Sequence, residues 1–254
     1  MKGLIAAGGN ATRLEELTRV TNKHLLPVGK WPMVYYPLQL LERIGVREVL
    51  LVTGQQHAGQ FIDLLGNGKV VSRSGEQLFD LDVTYKVQTE AGGIAQVVGM
   101  ARDFAAGDQL VVCLGDNIFE HAHAHAISRW TSGALVFAKE VDDPENFGVV
   151  AYGENGEVAD IVEKAGTVDL RYNAPPSNDA IVGLYCYPPD VFEVIDGIEP
   201  SNRGELEITD VNRIYAQRGE LAVERVQGWW HDGGKHWGDL ADIGRRIEET
   251  GANT

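Results

Sequence analysis

Hydrophobic residues come in short bursts along the first part of the chain, and the stretches between them are amphipathic. Residues 4–7, 48–53, 83–87, 109–114 and 134–139 are brief runs rich in Val, Leu and Ile, as expected of buried β-strands. Residues 33–44, 58–65, 94–104 and 121–130 instead space their apolar side chains as a helix does. This alternation predicts an α/β protein, with a Rossmann-like, doubly wound, mixed but mainly parallel sheet and helices on both faces. Ligands bind such sheets at the carboxyl ends of their strands. Gly8, Gln88 and Asp116 each follow a predicted strand, so the pattern expects them at one crevice.

The second half is patterned differently. Residues 148–152 and 158–163 flank Glu154-Asn155-Gly156, and Asn-Gly favours a tight hairpin turn. Residues 180–187 read as a strand, 204–217 as a helix capped by Gly219, and 240–249 as a last helix. Residues 165–177 contain prolines and lack periodicity, so they read as a loop. Repeats, low-complexity tracts and obvious linkers are missing, and residues 1–254 are expected to form a single domain.

Composition narrows the function. The 254 residues are 44% hydrophobic and 23% charged, ordinary for a globular protein. A net charge of −15 argues against an extended nucleic-acid interface. It leaves room for a nucleotide held by a local basic cluster and a divalent metal. No apolar run is long enough to span a bilayer, and the first residues form a strand pattern rather than a signal peptide. Cys113 and Cys186 sit within apolar runs and read as buried thiols. The expectation is a cytoplasmic protein with neither nucleic-acid nor membrane partners.

The densest chemistry is at the start of the chain. The first strand runs into Gly8-Gly9-Asn10-Ala11-Thr12-Arg13-Leu14, and Lys23-His24-Leu25-Leu26-Pro27-Val28 follows. A glycine pair at a strand end lets backbone N–H groups approach an anion. Arg13 and Lys23 add positive charge, which suits a polyphosphate under attack at phosphorus. Neither a Gly-Lys-Ser/Thr ending nor GxGxxG spacing is present, so the P-loop and the dinucleotide fingerprint are excluded. Further on, Leu114-Gly115-Asp116-Asn117 puts a carboxylate at a strand end, where it suits Mg²⁺.

Together these segments resemble the signature of the sugar-1-phosphate nucleotidylyltransferases, GGxGTRL…TxxxxKxLLPV. Residues 18–28 and 32–38 look like its glucose-1-phosphate thymidylyltransferase branch. The resemblance implies that Arg13 and Lys23 are catalytic and that Gly8, Gly9, Ala11 and Thr12 hold the nucleotide. Gln88 and Gly93, in a segment similar to the family's VQ…GLAQ, would read the base. A glutamine amide offers one donor and one acceptor to the imide edge of thymine or uracil, and does not by itself separate the two. Asp116 and Asp232, the latter in Trp230-His231-Asp232-Gly233-Gly234, would bind Mg²⁺. The segments Val162-Glu163-Lys164 and Arg203-Gly204-Glu205-Leu206-Glu207-Ile208-Thr209-Asp210 resemble further family elements. They imply that Glu163 bonds sugar hydroxyls while Lys164 and Arg203 hold the phosphate. Asn117, Gly148, Ile181 and Tyr185 would line the sugar pocket. On this reading residues 1–120 mainly bind nucleotide, 121–239 mainly bind sugar phosphate, and 240–254 are a C-terminal helix and tail.

The implied reaction joins dTTP and glucose-1-phosphate into a dTDP-sugar, releasing pyrophosphate. A UTP-dependent uridylyltransferase and a non-catalytic regulator that binds nucleotide sugars are the alternatives. Arg13, Lys23, Asp116 and Asp232 together speak against the regulator, which has no need of both metal carboxylates. The resemblance runs to about Asp239, and the helical extension of longer members is not seen. A homo-oligomer smaller than a tetramer is therefore expected, with inhibition by a downstream sugar nucleotide only at the active site. His121, His123 and His125 would put two imidazoles on one helical face, but without a third ligand they read as surface residues. Trp229, Trp230 and Trp237 read as core and pocket wall.

The chain departs from the pattern at Ala11 (usually glycine), Glu16 (usually proline), Lys30-Trp31-Pro32 and Ala165. Where a glycine holds positive φ, alanine costs roughly 1 kcal/mol. Ala11→Gly is therefore expected to keep or improve triphosphate affinity measured by calorimetry. A large loss would show that the methyl group has a packing role.

Overall fold

The computed structural model describes residues 1–8, 17–233, 236 and 238–254. Gly9, Ala11, Thr12, Arg13, Glu16, Gly234 and Trp237 lie outside the described residues. In chain order the main elements of the first half are β1 (Lys2–Ala7), α1 (Tyr35–Arg43), β2 (Glu48–Gly54), α2 (Ala58–Leu65), β3 (Asp82–Gln88), α3 (Ile94–Gly99), α4 (Arg102–Ala105), β4 (Leu110–Leu114), β5 (Asn117–Phe119) and α5 (Ala124–Arg129). There follow β6 (Ala134–Glu140), β7 (Gly148–Tyr152), β8 (Val158–Glu163), β9 (Asp179–Tyr187), α6 (Val191–Asp196), α7 (Ile208–Gln217), β10 (Leu221–Arg225), β11 (Trp230–Asp232) and α8 (Asp239–Thr250).

The chain divides into two compact units. The first comprises Met1–Ala91, Val111–His125 and Gln227–Thr254, with strands in the order β4-β1-β2-β3. β1 runs parallel to β2, and β2 parallel to β3. Leu4, Ile5, Val49, Leu51 and Val52 are fully buried, as parallel strands covered on both faces require. The register pairs Ala7 with Thr53 and Gly54 with Gln88. The carboxyl ends of three strands are thereby level.

The first unit is closed by α8. Its Ile243 packs with Val28, Met33, Tyr36 and Ile118, flanked by Trp31, Trp229, Leu240 and Ile247. Gly244 lies so close to the Gly29 turn that a β-carbon on it would sit 2.9 Å from the Gly29 nitrogen. The five residues after Glu249, expected as a short polar tail, are tied down. Gly251 ends the helix at φ +84, the Asn253 backbone donates to Phe119 O at 2.8 Å, and the buried Asn253 amide donates to Tyr36 O at 2.8 Å.

The second unit comprises Gly92–Leu110 and Ala126–Val226, and its strands are ordered β8-β7-β9-β6-β10. β7 and β8 form the expected antiparallel hairpin, with Gly156 at φ +82 in its turn. β6 runs antiparallel to β9 and parallel to β10. α7 buries Ile208, Val211, Asn212 and Tyr215, a stripe with helical spacing. Gly219, at φ +70, follows it as expected.

Several helices are shorter than their patterns predict. The first begins at Tyr35; Met33 and Val34 form the turn before it, tied back through their N–H groups to Leu26 O and His24 O. The stretch 94–104 splits in two, with Ala101 N bonding back to Val98 O over only three residues. α5 begins only at Ala124, because β5 and the positive φ of His123 (+54) occupy the chain before it. His121 and His125 therefore share no helical face, and His121 Nδ1 lies 2.7 Å from Thr254 Oγ1. α7 begins at Ile208 because Glu207 before it is extended, at φ −81 and ψ 132, and Leu206 N is paired with Gly92 O. Both cysteines are buried free thiols, as expected. No helix among the described residues is long and apolar enough to cross a membrane.

Asn253→Ala is expected to destabilise the protein by about 0.5–1.5 kcal/mol, because it removes the side-chain bond that ties the tail to Tyr36 O. Chemical denaturation should show a lowered midpoint at unchanged slope; an unchanged midpoint would mean that the tail does not hold the unit.

Candidate active site

The level strand ends of the first unit form the floor of a cavity of about 440 Å³. Gly8, Lys23, Gly54, Gln55, His57 and Gln88 are among its lining residues. The glycines matter because the Gln88 side chain reaches across toward β1. A β-carbon on Gly8 would sit 2.5 Å from Gln88 Oε1, so no larger residue fits while the amide lies there. The expectation that Gly8 and Gln88 meet at the strand ends is met by this geometry.

Asp116 joins the same place from β4. It is 8% exposed, and Gly115 N donates to Ala6 O at 2.9 Å, holding the turn against β1. Lys23 Nζ donates to Asp116 Oδ2 in a tight ion pair. Asn117 Nδ2 donates to Asp116 Oδ1 at 3.0 Å. Burial alone would push this carboxyl up; the Lys23 charge and the bonds from Lys23 and Asn117 outweigh it, so the net shift is far below the usual range. His24, buried beside them, is depressed to about 3 by burial and then by the Lys23 charge, with Asp116 opposing. The imidazole is therefore neutral and adds no positive charge next to Lys23.

Asp232 comes to Asp116 through a two-stranded ribbon. β11 runs antiparallel to β5 with Asp232 opposite Asn117, and Gly233 N donates to Asp116 O at 2.8 Å. Trp230 Nε1 donates to Asn117 Oδ1 at 2.7 Å. The Asn117 amide thus braces Asp116 on one side and Trp230 on the other, which is a different task from the sugar contact expected of it. Two carboxylates with a lysine ammonium already on one of them suit a hard cation such as Mg²⁺. No cluster of three His, Cys, Asp or Glu residues capable of holding a metal occurs among the described residues.

In the second unit the expected sugar-phosphate residues gather around Glu163. Thr209 Oγ1 donates to Glu163 Oε2 at 2.5 Å. Lys164 Nζ and an Arg203 guanidinium nitrogen lie 3.5 and 3.6 Å from Oε1. Gly148 stands opposite Glu163 across the hairpin, and a β-carbon there would be 3.1 Å from Oε2. Lys164 has φ +42, an unusual conformation for lysine that marks a residue held in place by its surroundings. Arg203 also forks onto Glu207, at 2.8 Å to both oxygens. Ile181 and Tyr185 are buried along β9 at 9% and 4% exposure, and the Tyr185 ring stacks on Tyr187. A second cavity, of about 510 Å³, has Glu163, Arg171, Ser201, Glu207 and Arg213 in its wall.

Gly93 is explained by its own chain. It sits at φ +90, and a β-carbon would meet Leu206 O at 2.3 Å. Its lack of a side chain is required by this packing whether or not it contacts a base. Sequence reasoning missed Asn22, His24, Thr209 and Arg213. Arg213 ties Asp160, Asp169 and Asp210 together, fixing the loop after Lys164 against α7. The only available signal was their place in quoted motifs: Asn22 and His24 flank Lys23, and Thr209 lies within the Arg203–Asp210 element, while Arg213 lies just beyond it.

The same pattern appears in known proteins. The profile of the Nucleotidyl transferase family matches residues 2–250. A glucose-1-phosphate thymidylyltransferase of Neisseria meningitidis is 39% identical over 242 residues, 93% of this chain and 79% of its own length. One from Mycobacterium tuberculosis is 37% identical over 255 residues, covering 98% and 83% respectively. The crystal structure of a putative glucose-1-phosphate thymidylyltransferase from Bacillus anthracis, in complex with a sucrose, superposes with a TM-score of 0.83 at 40% identity. That superposition covers 97% of this chain and 96% of the other. A UDP-glucose pyrophosphorylase complexed with UDP-glucose shares the fold, with a TM-score of 0.82 at 21% identity over 98% of each chain. The chain is thus a Rossmann-like α/β protein and an enzyme of the sugar-1-phosphate nucleotidyltransferase family.

Proposed function

We propose that this enzyme transfers a thymidylyl group from dTTP to α-D-glucose-1-phosphate or a close relative, releasing pyrophosphate. The observation that carries the reading is the Lys23–Asp116 pair beside a strand-end cavity that also presents Gln88. The relatives' names support the choice of thymidine and glucose. The Gln88 amide matches the imide edge of uracil equally well, so UTP is expected to serve as a second, measurable substrate.

In this reading a phosphate oxygen of the sugar phosphate attacks the α-phosphorus of the triphosphate in line. The nucleophile is already an anion and no general base is needed; catalysis is positioning and charge neutralisation. Gln88 orients the base over the glycine floor. Lys23 and Arg13 draw charge from the triphosphate and from the departing pyrophosphate. Glu163 holds sugar hydroxyls, and Lys164 and Arg203 hold the phosphate by charge and by a planar fork of donors. Asp116 and Asp232 would hold Mg²⁺, which when bound neutralises phosphate charge. Pyrophosphate release measured across four nucleoside triphosphates and several sugar-1-phosphates tests the assignment. A purine preference would overturn the proposed base.

Two predictions follow from the residues. Asp116→Asn and Asp232→Asn are each expected to lower kcat by about 100-fold or more, because several kcal/mol of charge stabilisation depends on the metal carboxylates. The circular dichroism spectrum should be unchanged; near-normal turnover in either variant removes that residue from the metal site. Gln88→Ala is expected to lower kcat/KM for dTTP and UTP roughly tenfold, the worth of one or two hydrogen bonds. Any residual turnover of ATP or GTP should be unaffected, and an equal loss for all four bases would exclude base reading by this amide.

A further inference from the structure

Asn22 and His24 flank Lys23 and are 4% and 2% exposed, yet the reaction as written gives neither a task. Burying such polar side chains is costly unless they are bonded. Asn22 Nδ2 donates to Ala7 O, the last carbonyl of β1, at 3.1 Å. Its Oδ1 accepts from the His24 backbone N–H at 2.9 Å and faces His24 Nδ1 at 2.5 Å. The first two bonds fix the amide orientation, so Nδ1 must carry the imidazole proton. The other side of the ring lies against the turn that leads to Asp116: a β-carbon on Gly115 would be 2.7 Å from His24 Cδ2. Gly115 N in turn bonds Ala6 O. Two side chains thus join the end of β1, the turn before Asp116, and the backbone on both sides of Lys23.

A lysine side chain has four flexible bonds and loses much rotamer freedom when held in one place. We propose that Asn22 and His24 are positioning residues that fix the backbone of Lys23, so that its ammonium stays at Asp116 and at the edge of the strand-end cavity. The role in turnover rests on the function proposed above for Lys23; the positioning itself is a property of the fold.

Lysine acylation with acetic anhydride, read by mass spectrometry, tests the positioning directly. In Asn22→Ala and His24→Leu the Lys23 amine should acylate several-fold faster than in the parent protein, while the exposed Lys69 in the same sample keeps its rate. A general loss of stability would also speed Lys2, whose side chain is 16% exposed in its pair with Glu48, so Lys2 should keep its rate as well. His24→Asn, whose amide can take the place of Nδ1–H, should recover much of the protection. Asn22→Ser, which keeps an acceptor for the His24 backbone, replaces the alanine variant should that fail to fold.

The kinetic arm is a double-mutant cycle. Asn22→Ala should lower kcat by roughly 10–100-fold, as loss of a supporting partner typically does, with KM for the sugar phosphate unchanged. In a Lys23→Ala background the same change should cost less than about threefold, because it acts through the lysine. Unchanged acylation of Lys23, or an equal loss in both backgrounds, overturns the proposal. Faster acylation in a protein that releases no pyrophosphate from any substrate pair supports the positioning and refutes the proposed reaction.

Discussion

The ion pair between Lys23 and Asp116 is the constraint around which the first unit is arranged. Their side chains are only 15% and 11% exposed. Such a pair is poor at stabilising a fold, because desolvating two charges can cost more than their attraction returns. Its surroundings reduce that cost. Asn117 satisfies the second carboxylate oxygen, Gly233 bonds the Asp116 carbonyl, and Trp230 holds the Asn117 amide in the required orientation. β5 and β11 are short, but their pairing supplies these bonds, and the apolar cluster beneath α8 supports Ile118 within the ribbon. A buried charge so fully supported is what electrostatic catalysis requires, since preorganised groups need not reorient during reaction.

The second unit shows the same pattern on its own hairpin. Glu163 is 13% exposed at its side chain and carries Lys164 and Arg203 within ion-pair range. In each unit, then, a cation expected to hold phosphate rests against a carboxylate expected to hold something else. On the proposed function, phosphate binding would be an exchange of partners for the cation, which favours a ligand with more negative charge than a single carboxylate. Arg203 shows the cost: its fork is already engaged by Glu207, so a phosphate must compete with that pair.

The fold was legible where side-chain patterning sets it. The five strands expected in the first part match to within a residue or two, because they are short apolar runs with clear ends. The hairpin at Asn155-Gly156 was legible because positive φ is needed there and glycine provides it. Helix starts were misjudged where the chain just before the helix is shaped by tertiary hydrogen bonds, as at Met33 and Leu206, and no local pattern records such bonds. The site was legible through motifs, yet its supports were not. Asn22 and His24 lie within the quoted signature but act through bonds to Ala7 and packing on Gly115, contacts that depend on strand order. Gly93 was noticed for the right residue type, while its packing reason lies far away in the chain, at Leu206.

The pinned tail sets an order of events for folding. The first unit is assembled from three separate stretches of chain, the last of them Gln227–Thr254. The Asn253–Tyr36 hydrogen bond joins residues 217 positions apart, and contacts so distant in sequence form late because loop closure precedes any gain from them. During synthesis, Lys23 and Asp116 leave the ribosome early, but Asp232 and the helix that packs on Val28 and Met33 leave it near the end. A nascent chain therefore carries both members of the charged pair without the ribbon or its apolar support while residues 117–231 are made. Asp232 reaches its place opposite Asn117 only together with the ribbon that braces the pair, so a chain cut before it lacks both.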